Sequence, residues 1–353
     1  MARDTNLAVV GAGLIGRRHC AAIAMADGVS LSALVDPAPE ASGVASALGV
    51  PWFRSLPELI AAGAAEGVIL ATPNTLHAEG TEACVEAGLP VLVEKPIFTD
   101  LGVGLAILDR AEVRGVPVAV GHHRRHNPLI KRARQAIEEG DLGRIVAVQA
   151  TAWFMKPETY FEVDWRREKG AGPVYLNLIH DIELLLHLCG PICDVRAVES
   201  NAVRGNDVEE TAVVLLTFEN GALGTISASD TVVAPWSWEL TARENPAYPA
   251  TAETCYWIGG THGSLSLPNL SLWTNPGERS WWEPISETKL TFGFDDPLVL
   301  QAAQFGRVVR DEEAPLVPGR DGLAALTVIE AIKRAAASGE TIRPATLLQE
   351  AKG

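Results

Sequence analysis

"NLAVVGAGLIGRRHC", Asn6 to Cys20, decides how the first third of the chain is read. An apolar run ends in Gly11-x-Gly13-x-x-Gly16, and an alanine-rich helical stretch begins at once. Glycines in this pattern allow a tight turn, close approach of backbone to a pyrophosphate, and close packing of helix on sheet. The helix start then offers the N–H groups of Leu14 and Ile15 to phosphate oxygens. Twenty residues after Gly16, Asp36 closes the next apolar run, where an acid that bonds the adenosine ribose belongs. A carboxylate there accepts both ribose hydroxyls and repels a 2′-phosphate, and no arginine follows it directly. The stretch therefore predicts a dinucleotide cofactor, NAD in preference to NADP.

Outward from this point, "SLSALVDP", "GVILATP", "PVLVEKP" and "VPVAVGHH" read as further buried strands. Helical candidates at 14–26, 40–48, 56–63, 76–87 and 100–113 lie between them. Short, continuously apolar strands alternating with helices imply a parallel sheet covered on both faces. Beyond Gly143 the runs lengthen and alternate, as in "RIVAVQATAWFM", "ICDVRAVESNAV", "TAVVLLTFEN", "GALGTISASDT", "WSWELTARE" and "TCYWIGG". "ENGA" at 219–222 is a hairpin turn between two of them. Further helices are expected at 127–140, 174–188, 297–310 and 321–337. The fold class predicted is an α/β Rossmann domain, doubly wound, over 1–123. An α+β domain over 124–353 follows, with a large, open, mostly antiparallel sheet.

Charge and composition exclude several classes. A net charge of −15 argues against a nucleic-acid partner, because counterion release needs a basic face. No apolar run nears the ~18 residues that span a bilayer, so no membrane association is expected. The few residues before the first strand leave no room for a signal peptide, which predicts a cytoplasmic protein. Five scattered cysteines read as reduced thiols. The H-x3-H of His122 and His126 lacks an acidic partner, and no metal site is predicted.

"VYLNLIHDIELLLHL", Val174 to Leu188, should be an apolar helix, yet it carries Asn177, His180 and Asp181. At i, i+3 and i+4 these share one α-helical face. Such a stripe faces either water or a place where protons are moved. Lys95 is one of seven lysines, preceded by "VLV" and followed by Pro96. A lysine so confined is expected to be partly desolvated, which lowers its pKa and suits it to proton transfer.

"ATPNTLHAE" (71–79), "VLVEKPIFTD" (91–100), "VGHHRRHNP" (120–128) and "GAGPVYLNLIHDIELL" (170–185) follow the glycine fingerprint in that order. Together they resemble the Gfo/Idh/MocA family of glucose–fructose oxidoreductase, inositol dehydrogenase and rhizopine-catabolism proteins, over most of the chain. The resemblance implies that Thr72, Pro73 and Asn74 line the cofactor cleft with His77 beside them. It places Glu94 and Lys95 near the nicotinamide. His123 stands where the family carries an asparagine and would face nicotinamide or substrate; Arg125 matches a family arginine and would hold the domain junction. His180 matches the family's candidate base, so the resemblance implies Lys95 and His180 as the catalytic pair with Asn177 orienting substrate. One departure is plain: the family aspartate four residues before the histidine is Leu176 here.

Eight of nine tryptophans lie beyond Gly143, and Trp153, Trp165, Trp236 and Trp238 fall near strand ends or the glycine-rich loop. Aromatic faces suit the C–H faces of sugar and cyclitol rings. Arg166 or Arg167 would meet a substrate oxygen or carboxylate. The first reading is thus an NAD-dependent dehydrogenase of a sugar, cyclitol, polyol or sugar acid. The alternatives are tightly held NAD used transiently for glycoside cleavage or internal redox exchange, and a non-catalytic dinucleotide sensor. The family buries its open sheet face by pairing subunits, which implies a homodimer or homotetramer.

Overall fold

Thr5–Val10 (β1) is the third strand of a six-stranded sheet in the computed structural model, which describes residues 3–352. Its partners are Val29–Val35 (β2), Trp52–Phe53 (β3), Gly67–Leu70 (β4), Val91–Val93 (β5) and Val118–Val120 (β6). All pairings are parallel, in the order β3-β2-β1-β4-β5-β6. β3 was not foreseen, because two residues carry no periodicity. Helices Leu14–Met25 (α1), Ala41–Leu48 (α2), Leu56–Ala62 (α3), His77–Glu86 (α4) and Leu101–Arg114 (α5) connect the strands. Leu7, Val9, Leu34, Ile69 and Leu92 are all but fully buried. Each such side chain contributes about 1.5–3 kcal/mol by leaving water. Strand order reverses direction between β1 and β4, which is where such sheets bind ligands.

The second unit is built on eight strands: Ile145–Trp153 (β7), Ile192–Ser200 (β8), Thr211–Phe218 (β9), Leu223–Ser229 (β10), Tyr256–Gly260 (β11), Gly263–Leu267 (β12), Ser271–Thr274 (β13) and Ser286–Lys289 (β14). They run β14-β13-β12-β11-β7-β10-β9-β8, and only β7 and β10 pair in parallel. The β9–β10 hairpin closes at Glu219–Ala222, with Gly221 at φ +85. Val148, Val214, Leu216, Ile226 and Ile258 bury one face. On the other face Val213, Leu215, Leu223, Trp257 and Trp273 are all more than a third exposed. Helices of this unit include Pro128–Glu138 (α6), Ile179–Cys189 (α7) and Trp238–Thr241 (α8). α8 corrects the expected strand at "WSWELTARE". Ser237 accepts the Leu240 N–H and caps a helical turn, and Trp238 stacks on Tyr256 with ring centroids 5.6 Å apart.

Three helices close the chain: Pro297–Val309 (α9), Gly319–Ser338 (α10) and Pro344–Glu350 (α11). The boundary between units falls after Asn127, and residues 295–326 return to the first unit rather than continuing the second. The physical reason is the apolar face of α9. Ala302, Phe305 and Val308 join Leu7, Val9, Ile23 and Val29 in one core cluster. Arg310 fastens the helix end by donating to Thr5 Oγ1 (2.6 Å) and the Gly28 carbonyl (3.0 Å). Among the described residues, no helix is long and apolar enough to cross a membrane.

Candidate active site

The three glycines of the fingerprint are required for different reasons. Gly11 sits at φ +104, and a β-carbon there would strike the Ala71 carbonyl. A β-carbon on Gly16 would strike the carbonyl of Gly11. Gly13 has φ −70, and nothing lies within 4 Å of where its β-carbon would be. Neither backbone conformation nor packing within the protein demands glycine at 13. The loop opens there onto free space at the start of α1, where no side chain caps the helix and its first turn holds no acid. Unpaired N–H groups and the positive end of the helix dipole fit the pyrophosphate of a dinucleotide. Asp36 is held beside this loop, with Oδ2 accepting the Ala12 N–H (2.7 Å) and Oδ1 the Ala38 N–H (2.9 Å). Each carboxylate oxygen keeps acceptor capacity for a ribose hydroxyl.

At the carboxyl end of β5, Glu94 is buried and accepts from His19 Nε2 at 2.7 Å, while its other oxygen accepts the Lys95 N–H. Burial works to raise the Glu94 pKa. The His19 hydrogen bond and the charges of His19, His123 and Lys95 outweigh it, holding the acid at about 2. His19, on α1, was missed by the sequence reading. The signal was a histidine at the sixth position of a helix whose inward face packs on the sheet. Gly121 lets the next strand pass, since a β-carbon there would lie 2.8 Å from the Glu94 carboxylate. The ring nitrogens of His77 lie 2.8 Å from the Pro96 carbonyl oxygen and 3.0 Å from that of Thr72, within reach of an N–H donated to either. His77 therefore ties the loop after β4 to the loop after β5 and presents backbone rather than its own ring. Thr72, Pro73 and Asn74 lie on that first loop, and Lys95 on the second is part-exposed.

His122 to Asn127 follow β6. Arg125 is buried and donates to Asp321 (2.6 Å) and the Leu316 carbonyl (3.0 Å), so it braces its own unit. His123 is part-exposed. Burial pushes the His126 imidazole down to about 3, helped by the charges of His123, Arg125 and Arg307. The sign follows directly: below pH 6.5 the unfolded chain takes a proton that the folded state refuses. Stability is expected to fall as pH drops from 6.5 toward 3, by about 1.4 kcal/mol per pH unit for this histidine. Denaturant titrations across pH should show a slope about one proton shallower in His126→Asn. Glu94 adds a further loss below 4.5, in the same direction. Among the described residues no group of three His, Cys, Asp or Glu side chains is placed to hold a metal ion.

In the second unit, Val174–Leu178 winds as a π-helical turn before α7 begins at Ile179. This corrects the single polar stripe. A π turn takes up more residues than an α turn, so Asn177 and His180 stand further apart around the axis than α spacing implies. Asp181 leaves the stripe altogether: it is buried, and its Oδ1 accepts the hydroxyl of Tyr256 on β11. Tyr256 had no sequence signal, because the pairing spans 75 residues. His180 is buried at 8 % exposure, and Asn177 and Leu176 are half-buried. Ahead of this helix, the Arg166 guanidinium lies 4.2 Å from the Tyr160 ring centre and 5.5 Å from that of Trp165, which is 50 % exposed. Of the other tryptophans considered, Trp238 is core and has no surface for a ligand. Trp153 and Trp236 pack together, ring centroids 5.6 Å apart, with Trp153 Nε1 donating to Ser227 Oγ on β10.

Residues 5–122 match the family model for the oxidoreductase family, NAD-binding Rossmann fold, and residues 130–266 match the GFO/IDH/MocA C-terminal domain. Inositol 2-dehydrogenase of Corynebacterium glutamicum is 26 % identical over 237 residues, 63 % of this chain; the chain covers 66 % of that relative, just under two thirds. UDP-N-acetylglucosamine 3-dehydrogenase of Acidithiobacillus ferrooxidans is 33 % identical over 233 residues, 64 % of this chain and 67 % of its own. The WlbA dehydrogenase of Bordetella pertussis, crystallised with NADH and UDP-GlcNAcA, superposes with a TM-score of 0.77 at 26 % identity, covering 97 % of this chain and 99 % of that one. Matched in both halves, the chain belongs to the Gfo/Idh/MocA oxidoreductases and carries their NAD-binding Rossmann fold.

Proposed function

We propose that this protein is an NAD-dependent dehydrogenase that moves a hydride between a secondary alcohol carbon and the nicotinamide, with Lys95 and His180 as its proton-handling residues. The substrate class is a sugar, cyclitol, polyol or sugar acid, in keeping with the compounds that name its relatives. The observation that carries the reading is His180: an imidazole at 8 % exposure, on a helix otherwise sunk among Ile179, Ile182, Leu184 and Leu185. An imidazole kept from bulk water suits removal of a hydroxyl proton, because histidine is the side chain that both takes and gives a proton in general acid–base chemistry. Bound NAD supplies the hydride acceptor. His180 would take the proton of the substrate hydroxyl, and the Lys95 ammonium would donate a hydrogen bond to a substrate oxygen. Asn177 donates or accepts a hydrogen bond from a neighbouring hydroxyl; an amide takes no proton. Trp165 and Arg166 supply an aromatic face and a guanidinium for the ring and its polar substituents.

A panel of polyols, sugars and sugar acids, followed by NADH absorbance, tests this. Turnover with NAD on at least one compound is expected, with little on NADP. Asp36→Ala should lower the preference for NAD about tenfold, since it removes both the ribose acceptor and the repulsion of a 2′-phosphate. No NAD reduction with any compound, together with no NADH binding, would overturn the reading.

The exposed apolar face of the eight-stranded sheet supports a second part of the proposal: two copies pair through it, as a dimer or within a tetramer. Light scattering should give a multiple of the chain mass, and a monomer at micromolar concentration contradicts it. All five cysteines are free thiols, four of them buried, which agrees with residence in a reducing cytoplasm.

A further inference from the structure

We propose that Glu209 is a positioning residue for the helix that carries Asn177 and His180, holding its first turn from a seat that Gly172 leaves open. The inference rests on the dehydrogenase reading above and adds a residue to it. Glu209 lies two residues before β9 and is 6 % exposed, so its charge must be matched by partners. Its Oε1 accepts the Val174 N–H at 3.1 Å, and its Oε2 accepts from Lys333 Nζ at 2.6 Å. Lys333 also donates to Glu199 Oε2 at 2.8 Å.

Gly172 shows what the arrangement needs. Its φ is not left-handed, so backbone conformation does not require glycine there. A β-carbon would overlap the Glu209 carboxylate, including Oε2 at 2.7 Å. The glycine is therefore the space in which the carboxylate sits. On the helix side, Pro173 precedes Val174 and no side chain of the segment caps the turn. The Val174 N–H is one of the orphan donors of a helix start, and a carboxylate reaching it from another element satisfies both the donor and the dipole.

A second tie lies one residue on. The Tyr175 hydroxyl donates to Glu330 Oε1 at 2.7 Å. Glu330 and Lys333 are three apart on α10 and share a face, so that helix grips the turn at two consecutive residues, directly and through Glu209. The ties border a cavity of about 650 Å³ lined by Lys169, Tyr175, Glu199, Glu209 and Lys333. A π-helical turn is less favourable than an α turn, so it depends on its supports and relaxes when they go. Relaxation would rotate Asn177 relative to His180, and small displacements of positioned groups cost about 10²-fold in rate.

The test combines hydrogen exchange with kinetics on intact protein. In Glu209→Ala, amides of residues 174–178 should exchange faster while those of the Rossmann unit do not. kcat should fall by about 10²-fold while KM for NAD stays within about twofold. Glu209→Gln keeps an acceptor for the Val174 N–H while its NH2 replaces the oxygen that accepts from Lys333, and should recover part of both. Gly172→Ala, which fills the seat while keeping the carboxylate, should reproduce the loss and serves if the alanine variant does not fold. Unchanged exchange over 174–178, or faster exchange with unchanged kcat, overturns the proposal, as does faster exchange spread over the whole chain. If the unaltered protein oxidises nothing in the panel, the dehydrogenase reading fails on its own. The exchange comparison still decides whether Glu209 holds the turn.

Discussion

His180→Ala is expected to lower kcat on the best panel substrate by about 10²–10⁴-fold, the contribution of a positioned general base. KM for NAD should stay within about twofold, because His180 lies in the second unit and the glycine loop and Asp36 in the first. Stability should change modestly, because alanine suits a helix interior. The combination separates a base from a merely buried histidine. Loss of turnover with retained NADH binding and a retained unfolding midpoint supports the assignment. Undiminished turnover sinks it.

Gly13→Val is expected to weaken NADH binding by at least about 10²-fold, roughly 2.7 kcal/mol, at little cost to the fold. The space its side chain would enter is empty of protein, and φ −70 accepts any L-residue. The expected stability loss is about 1 kcal/mol, from replacing glycine at a helix N-cap with a residue poorly suited to it. Gly16→Ala gives the opposite signature, because its β-carbon meets the Gly11 carbonyl and drives α1 off the sheet. Fluorescence titration with NADH and a thermal melt on both variants check the pair. Equal affinity in Gly13→Val would remove the phosphate site from this loop.

The contrast among glycines shows what was legible before the structure. Spacing alone placed Gly11, Gly13, Gly16 and Asp36 on a strand–loop–helix, because local pattern specifies local structure: apolar runs bury, and glycines turn. The same holds for the parallel character of the first sheet and the β9–β10 hairpin. The polar helix was harder. Composition showed that Asn177, His180 and Asp181 were out of place among leucines, but α spacing assigned them one face. The π turn and the Tyr256 hydroxyl separated them, and both depend on atoms far along the chain.

The sequence by itself determined the Rossmann fingerprint, the NAD preference carried by Asp36, and a second unit built on a large mostly antiparallel sheet. Each follows from periodicity and from chemistry within about 20 residues. Only the tertiary structure decided that α9 returns to the first unit and that His19 pairs with Glu94. It alone brought Asp181 to Tyr256, and Glu209 into the gap at Gly172. These are contacts between residues some 35 to 300 positions apart. Their partners are chosen by which apolar faces bury together, and a charged group is then held wherever burial has brought a matching donor or acceptor.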